Sequence, residues 1–178
     1  MFNEPKISFN LTRKWLKESL QLAQVLRFDG KILNKLWHEI KFVIITQRDF
    51  PHFGRADYDK MEIKLSNECL LLEEIPVIFA QFTKWGLPED HLVLLRRFLS
   101  RLPQRMIFDI FCQSVVDHNF GHLYHFLAGR KSGEIAANDI MIHFASHRGI
   151  SDPNWKSYSE IISGLLQERV DFKNTKEV

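Results

Sequence analysis

"DIFCQSVVDHNFGHLYHFLAG", residues 109–129, is the stretch on which the fold turns. It has no proline, ends in glycine, and repeats apolar residues three and four apart, so it reads as a long helix. With His118 at 0° and about 100° per residue, His122 falls at about 40° and His125 at about −20°. Val116, Phe120, Leu123 and Leu127 lie between about 140° and 200°. The imidazoles therefore form one stripe opposite the main apolar face. Upstream, Phe111 and Val115 occupy the histidine side, so the first half is apolar nearly all round, as in a central helix.

Working outward, "SGEIAANDIMIHFASHRG" (132–149) reads as the next helix, with Asp139, His143 and His147 one turn apart on one face. The connection "RKS" is short, which makes the two helices antiparallel neighbours. Five imidazoles and a carboxylate would then converge between them. His118, His122, His125, Asp139, His143 and His147 are the candidate metal ligands, with zinc or iron as the expected transition metal if they converge. Asp117 is a further candidate, as ligand or as orienting partner. The pattern lacks the His-Glu-x-x-His motif and the paired Glu-x-x-His of di-iron bundles. A histidine acting as general acid or base beside Asp117 or Asp139 is the catalytic form of the same reading.

The remaining chain also carries helical signals. "NLTRKWLKESLQLAQVLRFDG" (10–30) offers Asn10 and Thr12 as N-caps and stops at Asp29-Gly30, where Gly30 can take the left-handed conformation. "KILNKLWHEIKFVIITQ" (31–47) continues as a helix; its "FVIIT" portion is β-branched enough for a short strand, the less favoured reading. "SNECLLLEEIPVIFAQFTKWG" (66–86) is a helix kinked or split at Pro76. Pro88 with Glu89 and Asp90 opens another, and Pro103 ends it and opens the helix that runs from 103 to Gly129. Asp152 caps a last helix with Pro153 in first position. The expected architecture is all-α: one domain over residues 1–178, an irregular bundle of about seven helices.

At 178 residues, 45% hydrophobic and 26% charged, the chain has the composition of a folded globular domain. No run of eighteen apolar residues predicts a membrane span, and the stretch "MFNEPKISFNLTRKW" shows no signal-peptide pattern. Cys69 and Cys112 lie in apolar runs and read as buried thiols in a reducing, cytoplasmic setting. No glycine-rich phosphate loop, nucleophile elbow or Cys-x-x-Cys is present, which lowers the case for nucleotide enzymes, serine hydrolases, redox proteins and zinc ribbons.

Charge is uneven. Residues 57–90 hold eight acids and three bases, a net of −5 within a chain of net +2. Next to them lies the aromatic loop "RDFPHFGRADYDK" (48–60). Phe53, Asp57, Tyr58, Asp59, Glu62, Glu73 and Glu74 are the candidate residues for one basic protein partner. The first functional expectation is thus a small interaction module, an inhibitor or an antitoxin or immunity-type protein that neutralises a basic partner such as a nuclease. The second is the histidine-ligated metalloprotein or metal-dependent hydrolase. The third is nucleic-acid binding through Arg96, Arg97, Arg101 and Arg105, disfavoured by the mild net charge.

Overall fold

The computed structural model describes residues 7–45, 54–66, 89–130 and 133–174. Among them the chain forms α1 (Phe9–Val25), α2 (Gly30–Glu39), β1 (Lys41–Ile45), β2 (Gly54–Asp57), β3 (Glu62–Ser66), α3 (Glu89–Leu99), α4 (Gln104–Leu127), α5 (Glu134–Arg148) and α6 (Pro153–Asn174). The described residues are mostly helical, with six helices among them against about seven expected for the whole chain, and they include a small sheet. Of the helix expected over 66–86, Ser66 ends β3 and the remainder lies outside the described residues.

The all-α expectation holds in its coarser form, as a mostly helical architecture, and the small sheet is an addition to it. The helical reading of 31–47 holds only to Glu39. Ile40 turns extended (φ −63°, ψ 126°), and Lys41–Ile45 pairs in parallel with β3, Phe42 opposite Ile63 and Ile44 opposite Leu65. β2 pairs antiparallel on the other side of β3, giving the order β1-β3-β2. Val43, Ile44 and Ile45 suit a pleated surface better than a helix, and a partner strand was all they needed. Ile63 and Leu65 of β3 are buried in the main core.

Two helix ends differ from expectation. Ser8, not Asn10 or Thr12, caps α1, its Oγ accepting the Leu11 N–H at 3.3 Å. Arg27, not Gly30, takes the left-handed conformation (φ 60°) after α1. Gly30 instead begins α2, and Asp29 caps it by accepting the Lys31 and Ile32 N–H groups. The end of α4 follows the sequence closely: Gly129 has φ 65°, its N–H reaches Phe126 O, and the Arg130 N–H reaches His125 O. That is the paired-bond ending in which glycine avoids the Cβ clash. Asp152 accepts the Asn154 N–H at the start of α6.

α4 is the axis of the molecule. Phe108, Val116, Phe120 and Leu123 enter one core with Trp15, Leu16, Leu36 and Phe144. Ile110 enters a second core with Leu95, Ala145, Tyr158 and Ile162. β2 covers a third side so closely that a Cβ on Gly54 would lie 2.4 Å from Val115 Cγ1. Asp117, fully buried, sits among α1, α4 and α5. Its carboxylate accepts from Ser19 Oγ (2.7 Å), Gln113 Nε2 (3.1 Å) and both terminal nitrogens of Arg148 (2.5 and 3.1 Å). Trp155 of α6 stacks its ring 4.7 Å from the Arg148 guanidinium. Removing one partner of such a pair leaves a buried charge uncompensated. Arg148→Met is therefore expected to destabilise the protein by about 3–5 kcal/mol, read from chemical denaturation midpoints.

Candidate metal centre

α4 and α5 cross where neither carries bulk. A Cβ on Gly121 would come within 3.1 Å of Ala137 Cα and 3.2 Å of its carbonyl oxygen. His118 and His122 flank that glycine on α4, and Glu134 lies three residues before Ala137, at the first position of α5. A carboxylate is favoured there by the positive end of the helix. The crossing delivers all three side chains to one point.

Nε2 of His118 and Nε2 of His122 are 3.1 Å apart. Glu134 places Oε2 3.2 Å from the first and Oε1 3.4 Å from the second. The imidazole planes stand nearly perpendicular, at 85°. Three donor atoms with bonds of about 2.0–2.1 Å to a tetrahedral ion would be about 3.3–3.4 Å apart. The edge between the two nitrogens is close to that spacing, while the two edges to Glu134 end on different carboxylate oxygens; with one atom from each residue, the three ligand atoms lie within 4.8 Å of one another. Tyr58, one residue after β2, brings its hydroxyl to 3.2 Å from His122 Nδ1. The His122 side chain is only 9% exposed, whereas that of Glu134 is 71% exposed, so the group is walled on one side and open on the other.

The two histidines hold the Glu134 carboxyl well below its ordinary value, the hydrogen bond from His118 contributing most and that from His122 next, against a smaller opposing effect of burial. His125, on the same stripe, lies apart from this group. Burial lowers its basicity, aided by the charges of Arg130 and His122, while the Ala136 backbone and Asp139 act weakly the other way. Among the described residues, only His118, His122 and Glu134 are grouped at metal-ligand spacing. Asp139 and His143 are exposed and His147 is half-buried, outside that group. Asp117 points instead into the Arg148 network.

The other candidate residues are dispersed. Phe53, Glu73 and Glu74 lie outside the described residues. Asp57 contacts Lys64 at 3.0 Å and Glu62 contacts the same ammonium at 4.0 Å, so one cation offsets both acids. The Lys64 hydrogen bond also holds the Asp57 carboxyl below its ordinary value, against an opposing effect of burial. Asp59 is exposed, and Tyr58 is tucked against Phe126 with ring centroids 5.1 Å apart. Arg96, Arg97, Arg101 and Arg105 are exposed on α3 and around the turn into α4. Cys112 is a buried free thiol. No described helix is long and apolar enough to cross a membrane.

Glu134 stands at no ligand spacing from a histidine within its own helix, so the sequence pattern does not mark it. Its signal was positional: an acid opening the helix that follows a histidine-bearing one across a short turn. The contribution of Tyr58 depended on a sheet that was not expected. Comparison with protein-family models, curated proteins and solved structures finds no match, so the centre is read from its geometry.

The depressed Glu134 carboxyl has a consequence for stability. A carboxyl held below its unfolded value stabilises the fold at pH above that value, 4.5, and the contribution is lost as pH falls through the lower folded value. Wild type is expected to be more stable than Glu134→Gln near neutrality, and the gap is expected to close in acid. Paired denaturation curves across that range measure it.

Proposed function

We propose that the protein binds a divalent transition metal through His118 Nε2, His122 Nε2 and the Glu134 carboxylate. The observation that carries this is the convergence of two imidazole nitrogens and a carboxylate at 3.1–3.4 Å. Imidazole and carboxylate donors suit borderline cations, zinc and iron among them. A metal ion at their centre would take the place of the imidazole protons that the Glu134 carboxylate otherwise accepts.

Three protein ligands with a fourth position open to water is the arrangement of catalytic rather than structural zinc sites. Such an ion, when bound, supplies an acidified water molecule for hydrolytic attack. The chain's own part is geometric. Gly121 and Ala137 set the helix spacing, Tyr58 and β2 shield His122, and the exposed Glu134 leaves the approach open. Binding of a basic protein partner, by contrast, rests on segment charge, part of which Lys64 already offsets.

Protein purified without an affinity tag is expected to take up one equivalent of zinc in calorimetric titration. At a hundred times the dissociation constant, the native state gains about 2.7 kcal/mol, visible as a rise in melting temperature. His118→Ala, His122→Ala and Glu134→Gln are each expected to weaken uptake sharply, and His143→Ala with His147→Ala to leave it unchanged. Uptake below about a tenth of an equivalent with no thermal shift would overturn the proposal.

A further inference from the structure

We infer that Tyr58 is a positioning residue of this centre: its hydroxyl takes the Nδ1–H of His122 and thereby turns Nε2, as a lone pair, toward the metal. The inference rests on the metal-binding reading above. A neutral imidazole has one proton for two nitrogens, so a ring that ligates through Nε2 must carry its proton on Nδ1. Nδ1 of His122 is in a buried side chain, and the Tyr58 hydroxyl lies 3.2 Å from it. A phenolic oxygen accepts as well as donates. It can donate to Nδ1 when the proton sits on Nε2, and accept from Nδ1 when a metal displaces that proton. The proton balance on metal binding is then simple. Nε2 loses its proton to water and Nδ1 takes one up from water, a change of tautomer with no net proton released by His122, and the phenol only rotates from donor to acceptor without ionising.

Several features place the hydroxyl there with little freedom. Tyr58 follows β2 directly, and β2 is locked in register by the Ala56–Ile63 and Asp57–Glu62 pairs. The turn beyond it is closed by the Lys60 N–H on Asp57 Oδ1 and by the Lys64 ammonium on Asp57 Oδ2. Met61 completes that turn in the left-handed region, at φ 51°. At its other end β2 lies flush on α4, where Gly54 leaves no room for a side chain between the strand and Val115 or Asn119. The Tyr58 ring meets the His122 ring edge-on at 78° and rests against Phe126. Thus the strand carries the orienting group, while the two helices carry the ligands.

Tyr58→Phe keeps the ring packing and removes only the hydroxyl. Loss of an orienting partner of this kind typically weakens metal affinity about 10–100-fold. Zinc titration of the variant is expected to show that loss while its metal-free melting temperature stays close to wild type. A second readout follows the proton itself. In the zinc-bound wild type, proton NMR is expected to show a slowly exchanging His122 Nδ1–H, and in Tyr58→Phe that signal is expected to exchange rapidly. Zinc affinity within twofold of wild type, or a rapidly exchanging Nδ1–H in the wild type, would overturn the role of Tyr58 and leave the centre standing. Failure of wild type to bind zinc at all would overturn both.

Discussion

A buried carboxylate must be compensated, and the way Asp117 is compensated organises this molecule. With no exposure to water, it requires donors on several sides. Ser19 of α1, Gln113 of α4 itself and Arg148 of α5 supply them, and Trp155 of α6 covers the arginine. One side chain thereby fixes how three other helices sit around α4. It also fixes the rotation of α4 about its own axis, because a helix cannot turn without taking Asp117 out of reach of its partners.

That rotation decides what the next residues do. His118 follows Asp117 by about 100° around the helix, and His122 lies one turn further on the same side. Both are carried toward the start of α5. The Gly121–Ala137 approach then brings the helices close enough for Glu134 to span the gap. α5 is thus held to α4 by a buried ion pair from its last residue and by an exposed carboxylate from its first. The first contact is enclosed and structural. The second opens to solvent, which is where a site for an exogenous ligand belongs.

Much of the helical frame was legible from local signals. Glycine at 129, the Asp152-Pro153 start and the acids at 89–90 act through nearest neighbours, so a short window suffices. The failures came where a distant partner overrode a local preference. Residues 41–45 continue an apolar pattern that satisfies a helix, yet a parallel strand twenty residues on claimed them. Ser8 capped α1 although Asn10 and Thr12 also carry a side-chain oxygen that can accept a helix N–H, and Arg27 adopted a conformation that Gly30 would have taken at lower cost. The histidine stripe was legible as a stripe. Its surroundings were not, because β2 and Tyr58 cover a face that the helical wheel left polar.

By itself the sequence determined that residues 104–127 form a long helix apolar on more than one side, that His118 and His122 share a face, and that an antiparallel helix follows. Those properties depend on residue spacing and on the short turn, and both are written along the chain. Only the tertiary structure decided which of five histidines meet and that Glu134 joins them. It also decided that Tyr58 stands behind His122. Convergence depends on helix rotation and crossing distance, which the Asp117–Arg148 pair and the Gly121–Ala137 contact set together, through residues 31 and 16 positions apart in the chain.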